Sequence, residues 1–247
     1  MNETQILIKT SIEKEAKQQL GVDVIVEYVP NISIRKQELQ KQAGVKFNSV
    51  YNADHFTGTF IPAIGNNPYY ILVQESREAM LDIMTAFHEY KHLIDYVLFY
   101  KVVCDNDIEL LKKSPMNITF NVYSEYSATL FGVKKYIDIA KFEDMTQEEL
   151  AKSILEIAKE EYWNLQGVEN KYQLLVHSMQ YLGNIMGCST FVDSADIQSL
   201  ISEMELLDEL LPTFNHIAAY ENTYEWYENL DRIMRDFVDG GVLIVEI

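Results

Sequence analysis

A chain of 247 residues, 48% hydrophobic and 23% charged, is long enough to bury a substantial core and too apolar to be disordered. Its 38 Asp and Glu against 20 Lys and Arg give a net charge of −18, which repels phosphate backbones and disfavours direct nucleic-acid binding. Two cysteines, Cys104 and Cys188, both in apolar surroundings, imply neither a disulfide framework nor a CxxC metal site.

Taken in order, Ser11 to Leu20 reads as a helix with Ser11 as its cap and Gly21 as its end. Val22 to Val29 follows as a strand rich in β-branched residues, closed by Pro30. Ile34 to Ala43 reads as a short helix or an insertion. Three apolar or aromatic runs come next, Val45 to Tyr51, Gly58 to Ile64 and Tyr69 to Val73. Gly65-Asn66-Asn67-Pro68 between the last two reads as a hairpin turn.

Arg77 to Tyr100 carries Leu81, Met84, Phe87, Leu93, Ile94, Val97 and Leu98 at helical spacing, with Ser76 as a cap. A polar break, Asp105 to Ser114, separates it from a second helix that starts at Pro115 or Asn117 and runs through Glu125 and Tyr126 towards Ala140. Thr146-Gln147-Glu148-Glu149 is a capping box. Helical periodicity recurs near 147–162, 170–186, 195–211 and 220–238, and Val242 to Ile247 reads as an edge strand. The expected class is α+β: a mixed domain over residues 1–141, then a helical region over 142–247 that could pack on it as one unit. No basic flank precedes an apolar stretch at the N-terminus. The segment LIDYVLFYKVVC, broken by Asp95 and Lys101, is too short to span a bilayer. A cytoplasmic protein without a membrane partner is expected.

The chemistry lies in His88-Glu89-Tyr90-Lys91-His92. Helical residues four apart share a face, so His88 and His92 can offer two imidazole nitrogens to one metal ion. Glu89 then lies beside the ion, where a general base would take a proton from an activated water. Nitrogen ligands of this kind suit zinc. A third ligand is required, and Glu125, Asp95, His177, His216 and His55 are the candidates. Glu125 sits among apolar neighbours on the next helix, and an antiparallel return would bring it opposite the two histidines. Asp95 shares the face of His92 and reads better as a carboxylate supporting the site, or capping, than as a ligand.

These residues resemble the zincin metallopeptidases of the gluzincin type, which pair HExxH with a downstream Glu. The order of parts is similar to the ImmA/IrrE family over residues 10–140: a helix and strand (KQQLGVDVIVEYV), a hairpin (FIPAIGNNPYYILVQES), the helix AFHEYKHLIDY and the Glu helix YSEYSATLFG. The resemblance implies a zincin-like domain with Zn²⁺ held by His88, His92 and Glu125, and Glu89 as the catalytic base. It also implies a protein substrate, a helix-turn-helix regulator of a mobile element or stress response, bound by β-addition along the hairpin edge. The chain departs from the pattern at three places. Lys91 stands where a Gly often precedes the second His, Tyr126 where Ala follows the Glu, and Thr129 where related gluzincins carry an Asp that orients a zinc-bound His. Tyr126, Tyr123 and His177 are candidate donors to a developing oxyanion. A different class of function is a zincin-fold protein without efficient catalysis, whose acidic surface docks a basic partner or mimics DNA.

Overall fold

The computed structural model describes residues 1–44, 57–63, 67–75, 79–102, 116–140, 145–162 and 171–203, with the isolated positions 105, 107 and 232. Among them are seven α-helices and a three-stranded mixed sheet, an α+β arrangement dominated by helix. The chain divides into two compact units, Met1–Ile94 and Asp95–Ile247. The division falls within one helix, which contributes residues to both.

In the first unit, helix α1 (Glu3–Glu15) starts eight residues before Ser11, the cap expected from sequence. Asn2 Oδ1 accepts from the Gln5 backbone at 2.8 Å, and Gln5 Oε1 accepts from the Asn2 backbone at 2.9 Å. This reciprocal box satisfies two of the N–H groups that a helix start leaves without partners, so Ser11 becomes an interior residue. The helix widens into one π turn (Ala16–Leu20) and stops at Gly21, whose φ of 71° is open to glycine without strain.

Strand β1 (Val24–Val29) pairs in parallel with β3 (Tyr69–Gln74), and β2 (Gly58–Ile61) pairs with β3 antiparallel, giving the order β1-β3-β2. The antiparallel pair agrees with the expected hairpin, although Gly65 and Asn66 of its turn lie outside the described residues. Between β1 and β2, helix α2 (Ile32–Ala43) begins at Asn31, whose side chain accepts from Ile34 N at 2.9 Å. Val29, Ile32, Leu39, Ile61 and Leu72 form a core between α2 and the sheet, with Tyr70 packed against it. The outer edge of β1 is occupied by α1. Lys9 Nζ donates to Val26 O at 2.7 Å, and Glu13 accepts from Val26 N at 3.0 Å. Two charged side chains thus stand in for a neighbouring strand. The runs expected at Val45–Tyr51 and Val242–Ile247, the Ser76 cap and, apart from position 232, the helix at 220–238 fall on residues outside those described.

Helix α3 (Ala79–Val102) carries the HExxH residues, and α4 (Met116–Ile139) carries Glu125. Within the second unit the end of α3 meets α4 at two levels. Phe99 stacks on Phe120 with centroids 4.2 Å apart, and Ser124 Oγ donates to Asp95 Oδ2 at 3.4 Å. Position numbers fall along α3 as they rise along α4, so within this unit the end of α3 runs antiparallel to α4. A buried aromatic pair of this geometry contributes about 0.5–1.5 kcal/mol beyond its area.

Helix α5 (Gln147–Tyr162) starts at the expected capping box: Glu149 N donates to Thr146 Oγ1 at 3.2 Å, and Thr146 N donates to Glu149 Oε2 at 2.8 Å. Helix α6 (Lys171–Cys188) lies against α4. A Cβ on Gly183 would stand 2.8 Å from both Tyr126 O and Thr129 Cβ, and one on Gly187 would stand 2.8 Å from Val133 Cβ. The pairs rise together in number, so α4 and α6 run parallel with backbones nearly touching. Helix α7 (Ser194–Ser202), capped by Asp193, covers only the start of the helix expected over 195–211; the rest is outside the described residues. None of the described helices is long and apolar enough to cross a membrane.

Candidate metal centre

His88 and His92 leave α3 one turn apart and point their rings at each other. The Nε2 atoms are 2.9 Å apart, with centroids at 4.6 Å and an interplanar angle of 82°. Two nitrogens facing at this distance require one to donate and the other to accept. Glu125 completes the group: one ligand atom from each of His88, His92 and Glu125 lies within 4.8 Å of the others, and all three residues are half-buried. A group of two imidazoles and one carboxylate converging in this way could bind a metal ion. Its donors match those of catalytic sites that leave a fourth position open.

Glu89 is buried on the same helix. Its side chain packs where β2 passes closest: a Cβ on Gly58 would come 2.4 Å from Thr85 Cγ2, 2.8 Å from Glu89 Cγ and 2.9 Å from Glu89 Oε1. Gly58 therefore leaves the space that the carboxylate fills. Lys36, from α2, adds a charge. Burial lowers the pKa of its ammonium, and the Glu89 carboxylate partly opposes that shift.

The remaining candidates divide. Tyr126 is buried, and its phenol is pushed up first by that burial and then by Tyr123, so its hydroxyl keeps its proton and is available only as a neutral donor. The Tyr123 and Tyr126 rings lie 6.4 Å apart. Asp95 is fully buried and accepts from Ser124 Oγ at 3.4 Å. His177 is exposed and shares a hydrogen bond of 3.2 Å between its Nδ1 and Gln180 Oε1. His55 and His216 lie outside the described residues.

Three residues near this group carry no strong local signal in the sequence. Lys36 is one charge among many on a polar helix. Gly58 opens a strand, and only its place between Thr57 and Thr59 could have drawn notice. Gln180, whose Nε2 donates to Glu125 Oε2 at 2.8 Å, could have been sought from Gly183 and Gly187, because small residues four apart mark a helix face that packs closely. Comparison with protein-family models, with curated proteins and with solved structures gives no match.

Proposed function

We propose that the chain is a zinc-dependent metallopeptidase similar to the ImmA/IrrE group of gluzincins, cleaving a peptide bond in a protein substrate. The observation that carries this reading is the convergence of His88, His92 and Glu125 within 4.8 Å, with Glu89 one residue along from the first ligand. Zinc held there would supply Lewis acidity that lowers the pKa of water towards neutrality.

The chain's own residues then have separable tasks. His88, His92 and Glu125 hold the ion. Glu89 accepts the proton of the attacking water and delivers it to the leaving amine. Tyr126 and His177 remain the candidates for a donor to the oxygen that becomes negative. β2 is an edge of the sheet and passes beside Glu89, which supports an extended substrate lying along it, paired through backbone hydrogen bonds. A helix-turn-helix regulator is the substrate class that the family resemblance implies.

The test is elemental analysis of the purified chain together with Glu89→Gln, assayed by mass spectrometry on a peptide library. The wild type is expected to hold one zinc and to cleave. Glu89→Gln should hold zinc and not cleave, because an amide does not accept the proton. Glu125→Ala should lose zinc on dialysis. Undiminished cleavage by Glu89→Gln would refute the base assignment. A wild type that binds a basic partner but holds no zinc would favour the acidic docking module instead.

A further inference from the structure

The side chain of Glu125 is held from a third helix. Gln180 on α6 donates from Nε2 to Glu125 Oε2 at 2.8 Å, and its own Oε1 is engaged by His177 Nδ1 at 3.2 Å. The two bonds have one consistent direction. His177 Nδ1 must carry a hydrogen to donate to the amide oxygen, which turns the amide nitrogen towards Glu125. We infer that Gln180, oriented by His177, is a positioning residue that fixes the Glu125 carboxylate for metal binding.

Three features support this. The donor is neutral. A Lys or Arg at position 180 would neutralise the charge that Glu125 brings to a cation, whereas an amide hydrogen bond fixes the carboxylate plane and leaves its charge in place. The backbone also sets the reach. Gly183 and Gly187 follow Gln180 on one face of α6 and allow α4 and α6 to approach so closely that a Cβ at Gly183 would meet Tyr126 O at 2.8 Å, one residue beyond Glu125. Finally, Thr129 is committed to the same packing, because its Cβ stands 2.8 Å from where a Gly183 Cβ would be. The α4–α6 contact that carries Gln180 is therefore fixed by side-chain packing as well as by the glycines.

This inference rests on the metal reading above, and its test separates the two. Zinc affinity is measured by competition with a chromophoric chelator, and the cobalt(II)-substituted protein is followed by its visible ligand-field bands. The chains compared are the wild type, Gln180→Met, Gln180→Glu and His177→Ala, with circular dichroism as a check on folding. Gln180→Met keeps the length and packing but cannot donate, and is expected to bind zinc about 10–100-fold more weakly, the usual cost of losing an outer hydrogen bond to a ligand. Its cobalt bands should shift, which a change in helix packing remote from the metal would not produce. Gln180→Glu places a like charge against Glu125 and should be weaker than Gln180→Met. His177→Ala should weaken binding less than either. Unchanged affinity and unchanged cobalt bands in a folded Gln180→Met would overturn the inference while leaving the metal reading intact. A wild type that binds neither metal overturns both.

Discussion

Gly58 lies so close to Glu89 that a single added carbon would come 2.9 Å from the carboxylate oxygen. The same carbon would meet Thr85 Cγ2 at 2.4 Å, a distance that forces the Thr85 side chain or the backbone of β2 or α3 to shift. Gly58→Ala is expected to cost about 1–3 kcal/mol of stability, as overpacking in a well-filled core does. On the metallopeptidase reading it should also abolish hydrolysis while leaving zinc content unchanged, because Glu89 is displaced and the proposed ligands are not. Urea denaturation, metal analysis and the peptide assay check the three parts.

The glycines of α6 give an ordered pair. In a free helix Gly→Ala gains about 1 kcal/mol in propensity. Gly183→Ala sets a methyl 2.8 Å from a backbone carbonyl, whereas the nearest backbone atom to Gly187→Ala is at 3.2 Å. Both variants are expected to be net destabilised, by about 1–3 kcal/mol, and Gly183→Ala by more. Denaturant midpoints for the two single variants settle the order, and a gain in stability for Gly183→Ala would show that α4 and α6 stand further apart than described here.

A buried polar pair links the starts of α1 and α3. Gln5 Nε2 donates to Asp82 Oδ2 at 2.7 Å, and both residues are almost wholly buried. Removing the amide with Gln5→Ala should cost about 1.5–3 kcal/mol, the range for hydrogen bonds to charged groups. Tyr28 provides the contrast. Its hydroxyl is buried with no hydrogen-bond partner among the described residues, and its phenol is pushed up by burial and then by Asp82. Tyr28→Phe removes an unsatisfied group and should be neutral or stabilising. Thermal unfolding of both variants in one buffer makes the comparison.

Cys188 is fully buried, and burial pushes its thiol from an ordinary 9.0 up to about 12. The native chain should therefore resist alkylation at this residue at pH 8 and react there only on unfolding, as read by peptide mass mapping. The stability consequence has a definite sign. Between pH 9 and about 12 the unfolded chain has released this proton and the native chain has kept it. Stability is fully present below that window and falls as pH rises through it. Cys188→Ala should lose less stability between pH 8.5 and 11 than the wild type loses.

What could be read from sequence was what local spacing determines. The HExxH pair falls mid-helix, Thr146 and Glu149 form their reciprocal cap, and β1 to β3 lie within three residues of where β-branched and aromatic runs place them. Glu125 was reachable because the antiparallel return of α3 and α4 follows from a polar break between two apolar helices. The start of α1 was missed although Asn2 and Gln5 form a cap of the same logic as Thr146 and Glu149. The charged and apolar pattern after Ser11 is stronger than the pattern before it. Lys36 and the pairing of Gln180 with Glu125 were illegible for a different reason. Each has meaning only through a partner far away in sequence, 55 residues in the case of Gln180 and Glu125, and the spacing of Gly183 and Gly187 marks a closely packed helix face without saying what packs on it.

The parallel seating of α6 on α4 orders events during synthesis. A ribosome that has released Glu125 has not yet made the helix that braces it. Until Cys188 clears the exit tunnel, the nascent chain could present both imidazoles and the acid yet hold a cation only loosely. On the metal reading, a half-made copy would be a poor hydrolase, and this chain would acquire its cutting power only when the brace arrives.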